Sequence, residues 1–508
     1  MTRMRLISSF PSPNFPPLRE VLATPGEAKS HYDLGLVYAN GQGPLLDYAE
    51  AVRWFRIAAD EGYPPAQYAL GRMYGSGQGV AQDIEQALAW YRKAADQDYA
   101  VAQYALARIY QVGEGARQDV AEATKWYRKA AQQGYANAQN ELGVMYENGH
   151  GVPEDHAEAV AWYRKAADQG HPQAQNNLGF MHERGRGVPR DCAEAVKWYR
   201  SAAEQGLPRA QLNIGVMYQR GDGVAQDSAE ALKWIRQAAE KGFAIAQNNL
   251  GYLYERGRGV PPDPVEAGRW YRRAAEQGYA QAQNNLGVLY ESGQGLARDY
   301  AEARKWFYKA ADQGFAFAQY NLGVMCETGH GGSKDYAEAR QWFQAAADQG
   351  NASAQFSLGV LYEYGYGVAQ DYAEAVKWYR KGADQGDAAA QLNLGVMCYY
   401  GRGVPQDYVE AHKWLNLAAA RFLPAEHEKR ARATKNRDLV AKRMTPSQIA
   451  DAQSLAREWK PRQLLRGGTS LATSSNGAEG RNNIVPHVIR GNHPEHQALL
   501  RPGATEEP

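Results

Sequence analysis

The chain has 508 residues, with 57 Lys and Arg against 56 Asp and Glu, and is 44% hydrophobic with twelve Trp. A net charge of +1 excludes a chain-wide polycation built for nucleic acid or an anionic membrane surface. No apolar run approaches the roughly eighteen residues that suggest a membrane-spanning helix, and three cysteines cannot form a disulfide framework.

Residues 1–27 include "SSFPSPNFPPL", a Pro- and Ser-rich stretch that predicts an irregular lead-in. Its apolar segment is short and interrupted, which makes a poor signal peptide, so the expected location is the cytoplasm.

From residue 28 to 423 the chain repeats itself. With the Gly of each "LG" as origin, the repeat falls at Gly35, Gly71, Ala107, Gly143, Gly179, Gly215, Gly251, Gly287, Gly323, Gly359 and Gly395. The period is 36 with no insertion, which predicts a stack of units each docked on its neighbours. In the first half of a unit, apolar or small residues at −5, −1, 0 and +3 share one helical face, as in Ala282, Leu286, Gly287 and Tyr290. Gly at +6 (Gly293) is placed to end that helix with a positive φ, and a second Gly at +8 (Gly295) tightens the turn.

The second half opens on Asp at +12, from Asp47 to Asp407, followed three residues on by Glu or, once, Gln86. This spacing predicts a capping box. Ala at +16, Trp at +19 and mostly Ala at +23 and +24 form the expected buried stripe. On that reading, Trp198→Ala costs about 3–5 kcal/mol. Glu at +15 and Lys or Arg at +18, as in Glu302 and Lys305, predict surface pairs. Gly at +27 usually closes the unit, with Asp98 and Phe422 as exceptions.

Residues 424–460 predict two capping helices. The second has Thr445 as N-cap, Pro446 at its first position and a stripe of Ile449, Ala452, Leu455 and Trp459. The basic run from Lys429 to Arg437 reads as a solvated face. Residues 461–508, rich in Gly, Ser, Asn and Pro, are expected to be disordered.

The pattern L-G-x-x-Y-x-x-G-x-G-V-x-x-D-x-x-x-A-x-x-W-Y-x-x-A-A-x-Q-G resembles the Sel1-like repeat, a relative of the tetratricopeptide repeat, over residues 28 to 423. The resemblance implies an all-α fold: a right-handed α/α solenoid, or superhelix, of eleven 36-residue helix-turn-helix repeats with a C-terminal helical cap. It also implies a scaffold or adaptor for other proteins. One cysteine-rich branch, the bacterial Hcp proteins, is described as binding or slowly hydrolysing β-lactams. The Cys pairs that tie its hairpins are missing here, as are Ser-x-x-Lys, "SDN" and "KTG".

No Walker loop and no H-E-x-x-H occurs, so neither an enzyme, a cofactor nor a metal is expected. Cys326 and Cys398 stand where other units have Tyr and read as small buried hydrophobes. Binding is expected on the side of the first helix opposite its buried stripe, which lines the concave groove in tetratricopeptide-type stacks. The candidates are Asn177, Asn213, Asn249, Asn285 and Asn321 at −2, Asn248, Asn284, Tyr320 and Phe356 at −3, and Val216 and Val288 at +1. Two readings of the asparagines stand: a ladder that holds an extended peptide by its amides, or bridges between neighbouring helices. Glu at +4 and arginines at the turns form either a lattice of surface ion pairs or a rim that selects a partner. The expected partner is a protein or peptide, with no nucleic acid and no membrane insertion. The alternatives are a hydrolase of the Hcp kind and a secreted bacterial effector that binds host proteins.

Overall fold

The computed structural model describes residues 27–41, 46–113 and 115–461. The lead-in expected to be irregular and the tail expected to be disordered lie outside the described residues, apart from Glu27 and Pro461 at their edges. No strand occurs among the described residues. The chain divides into two units, Met1–Trp234 and Ile235–Pro508, and each is a run of helical hairpins packed on their neighbours in sequence. The helix Ser228–Glu240 contains the division.

The third repeat shows how a hairpin is set. Asp119 caps Val120–Gln132 by accepting the Glu122 N–H at 2.9 Å. The Asp119 N–H donates to the Tyr110 carbonyl at 2.9 Å. That carbonyl takes the bond a capping-box glutamate would have taken, so Glu122 turns outward and meets Lys125 at 2.9 Å. Only half of the predicted box forms, and the other half becomes the predicted i,i+3 pair.

From the second repeat on, the +6 glycines end the first helices in the left-handed conformation, as Gly149 does at φ 68°, whereas Gly41 in the first repeat has φ −59°. The +8 glycine has a second reason to be glycine. A Cβ on Gly187 (φ +66°) would lie 2.1 Å from the carbonyl oxygen of His156, in the second helix of the preceding repeat. The turn rests directly on its neighbour's backbone.

The core corrects the expected stripe. A Cβ on Gly143 would lie 2.6 Å from the Tyr163 ring, and one on Gly323 would lie 2.6 Å from the Phe343 ring. The residue opposite the origin is therefore +20, not +19. Tyr163 and Tyr199 in the first unit, and Tyr271, Phe307, Phe343 and Tyr379 in the second, are completely buried. The tryptophans sit one position round: six of them, Trp126, Trp270 and Trp378 included, are buried as expected, and the others lie at the rim. Trp162 and Trp198 are half-buried, and Lys165 Nζ lies 3.7 Å above the Trp162 ring. The large truncation cost expected at Trp198 belongs to Tyr199.

At the C-terminal end of the second unit, His427–Ala441 and Pro446–Glu458 pack on Tyr408–Arg421. Thr445 forms the full capping box with Gln448. Ala452 and Ala456 are the buried contacts, whereas Leu455 is 41% exposed. The expected stripe holds at Ala452 and Trp459, and only Leu455 yields to its neighbour Ala456, whose small side chain lets the helix approach closely. Trp459 closes the end against Trp414, with ring centroids 6.2 Å apart.

Candidate functional site

The interior polar residues form seams between helices. In the first unit Asn177 Nδ2 donates to Asn140 Oδ1 at 3.1 Å, and Asn213 to Asn176 at 2.9 Å. In the second, Asn285 donates to Asn248 at 3.0 Å and Asn321 to Asn284 at 2.9 Å. Each bond joins position −2 of one repeat to −3 of the repeat before. Asn248, Asn249, Asn284 and Asn321 have no exposed surface, and Asn213 and Asn285 have almost none. A peptide cannot reach amides that water cannot reach. The geometry supports the bridging reading for Asn213, Asn248, Asn284, Asn285 and Asn321; Asn249 is equally buried, and Asn177 stays half-buried. Asn321→Ala leaves the Asn284 carbonyl without that donor and is expected to cost about 1–3 kcal/mol. A cycle with Asn284→Ala, followed by urea unfolding, should return a coupling of at least ~0.5 kcal/mol; additive costs would sink the seam.

A glutamine at −4 supplies another seam. Gln139 Nε2 donates to the Ala131 carbonyl of the preceding repeat at 3.1 Å, while its Oε1 accepts from Gln169 at 2.7 Å. Gln283, Ala275 and Gln313 repeat this in the second unit. Arginine at +21 reaches the +3 tyrosine of the next repeat, as Arg128 reaches Tyr146 at 3.2 Å. The +4 glutamates, expected at the surface, point inward. Glu183 accepts the Tyr199 hydroxyl at 2.8 Å and Glu363 the Tyr379 hydroxyl at 2.6 Å. Cys326 and Cys398 are buried, and burial pushes their thiols up to about 12 and about 11.

Burial holds the Glu141 carboxyl above its ordinary range, and Asn140 and Arg108 only partly draw it back. The folded state then keeps a proton that the unfolded chain has released. Stability is present below the ordinary carboxylate value and declines as pH rises through the elevated one. Glu141→Gln should flatten that decline between mildly acidic and neutral pH in thermal unfolding. Parallel curves for the two proteins would refute the assignment.

What remains for a partner is the outer part of the first helices. Val216 and Tyr320 are buried, and Tyr320 packs on Phe343 with centroids 5.8 Å apart. Val288 and Phe356 are half-buried. Two residues at +1 escaped the sequence reading. Half-buried Phe180 carries Arg184 and Arg186 over its ring at 5.5 and 5.8 Å. In the second unit half-buried Tyr252 carries Arg256 and Arg258 at 5.7 and 5.6 Å. The available signal was the departure from Val at +1 together with Arg at +5 and +7. Among the described residues, no group of three or more His, Cys, Asp or Glu could hold a metal ion, and no helix is long and apolar enough to cross a membrane.

The Sel1 repeat family model matches eleven consecutive segments, from residues 28–63 through 388–421. The chain belongs to the Sel1 repeat family. It is similar to a protective antigen present in uropathogenic Escherichia coli strains that displays an SLR fold. That match has 41% identity and a TM-score of 0.70, over 85% of this chain and 92% of that one. A Sel1 repeat protein from Oxalobacter formigenes is 34% identical with a TM-score of 0.50, over 70% of this chain and 99% of that one. No match was found among curated proteins. Sel1 repeats fold as solenoids typical of protein–protein interaction scaffolds.

Proposed function

We propose that this Sel1 repeat protein is a non-enzymatic adaptor that holds a protein or peptide partner against its row of first helices, the side expected to be concave. One observation carries the reading. The packed polar positions are used within the stack, whereas position +1 presents half-buried aromatic rings with two arginines over each, at Phe180 and at Tyr252. Aromatic and Arg side chains are the types that dominate binding energy at protein interfaces. They lose little conformational freedom for the area they bury. Asn177, Val288 and Phe356 extend the same face within their own units. The asparagines of the seam are not contact residues in this reading.

The test compares the wild type with a Phe180→Glu, Tyr252→Glu variant, after matching helical circular dichroism has shown that both are folded. Each is used to capture partners from native lysate, quantified by mass spectrometry. A specific protein held by the wild type and depleted at least tenfold with the variant supports the adaptor. Equal capture by both moves binding off this face, and no specific protein from any lysate counts against the adaptor itself.

A further inference from the structure

The seam of asparagines does not run through the whole first unit. In the second and third repeats the −3 and −2 positions are Tyr68 and Ala69, and Tyr104 and Ala105. Where two amides would have met, there are rings and small side chains, and a cavity opens between the first repeats. Its volume is about 400 Å³, within the range of roughly 300–1,000 Å³ typical of ligand sites. Tyr32, Tyr68, Tyr99 and Tyr135 wall it, Val101 adds an apolar surface, and Arg72 reaches in from position +1. The rings are braced edge to face, Tyr32 on Tyr63 at 5.5 Å and Tyr68 on Tyr99 at 6.0 Å, so the walls are preformed.

Arg72 is the anomaly. Its guanidinium is half-buried among phenol rings yet makes no hydrogen bond or ion pair among the described residues. Its charge acts on Tyr32, Tyr68 and Tyr91, whose hydroxyls burial pushes upward. Asp33, the carboxylate whose charge also acts on Tyr32, forms no ion pair with Arg72. By contrast, arginines elsewhere in this unit are engaged, as Arg128 is with Tyr146 and Arg184 with Glu183. The planar fork of donors on Arg72 matches a carboxylate.

We propose that this cavity takes a side-chain carboxylate carried next to an aromatic or branched apolar residue on an extended protein segment, with Arg72 holding the carboxylate and the tyrosines the apolar group. The inference rests on the adaptor reading and gives its first unit a ligand class. Charge complementarity selects an acidic segment over a basic one, and the aromatic walls select an apolar neighbour over a run of acidic residues.

The test uses the full chain and two capped tetrapeptides in isothermal titration, acetyl-Gly-Phe-Asp-Gly-amide and the counterpart with Asn in place of Asp. The wild type should prefer the acidic peptide by at least about tenfold, the scale of a charge-assisted hydrogen-bonded pair. Arg72→Gln should bring that ratio to about one. Val101→Glu, which places a like charge in the cavity, should remove binding of the acidic peptide and spare the neutral one. No binding of the acidic peptide at millimolar concentration, or a preference unchanged in Arg72→Gln, would overturn the proposal. A native partner lost with Phe180→Glu, Tyr252→Glu but kept with Arg72→Gln would leave the adaptor standing and overturn only this cavity as its site.

Discussion

Tyr199→Ala should destabilise the first unit by about 3–5 kcal/mol, the range for truncating a large buried aromatic side chain. The ring is completely buried and faces the glycine at the origin of its own repeat, where a Cβ on Gly179 would lie 2.9 Å away. Two losses add. The cavity cannot be filled by the facing helix, because glycine offers no side chain to lean in. The Glu183 carboxylate also loses the hydroxyl that donates to it at 2.8 Å, although Arg184 remains at 3.2 Å. Tyr199→Phe isolates the second loss and should cost about 1–3 kcal/mol. Trp198→Ala, next door at the rim, should cost clearly less than Tyr199→Ala. Urea unfolding followed by far-UV circular dichroism ranks the three, and hydrogen exchange over residues 172–207 shows whether the damage is local, as a nearest-neighbour stack requires. Equal costs for Trp198→Ala and Tyr199→Ala would show that the core had been assigned to the wrong ring.

The second large effect is expected at a turn. Gly187→Ala places a Cβ 2.1 Å from the His156 carbonyl oxygen in a left-handed backbone conformation. The left-handed strain costs about 1–2 kcal/mol. Overpacking against a backbone atom adds about 1–3 kcal/mol, because a carbonyl inside a helix cannot rotate aside. Gly170 is the internal control: its φ is +84°, yet nothing lies within 4 Å of its would-be Cβ. Gly170→Ala should therefore cost only the strain. The difference between the two variants measures how firmly one repeat's turn rests on the next. If thermal unfolding gives equal costs, that contact relaxes freely and the turn does not set the spacing of the stack.

The boundaries of nearly every element were legible because they rest on local chemistry that recurs every 36 residues: Asp before each second helix, Gly after each first. The family was legible for the same reason. The ranking of buried positions was not. Positions +19 and +20 both lie near the stripe defined by Ala at +16 and +23, so helical periodicity alone cannot choose between Trp198 and Tyr199. The choice depends on what sits across the hairpin, and the origin glycine was the clue, since close helix packing there demands a large partner. The asparagine bridges were one of two open readings, but the glutamine seam was missed through a habit of reading amides as exposed. Gln139 lies four residues before Gly143, on the same face as the core, and its recurrence at −4 in nearly every repeat was a sign of burial rather than of solvent. Phe180 and Tyr252 stayed unread because a consensus hides departures from it.

The junctions have a consequence for how such a chain changes length. In the second unit the repeats 244–279 and 280–315 each offer their successor one asparagine oxygen and one helix-end carbonyl. Excising residues 280–315 would bring Asn321 to the Asn248 oxygen now taken by Asn285, and Gln319 to the Ala275 carbonyl now taken by Gln283. Arg272, which now meets the Tyr290 hydroxyl, would find Cys326 instead, and Gly332 would stand where Leu296 lies against Gly268. At this junction a whole period can be lost through unequal recombination at the DNA level with the asparagine and glutamine contacts kept. Such a chain lengthens or shortens like a ruler cut at its graduations, and the span it offers a partner changes in equal steps.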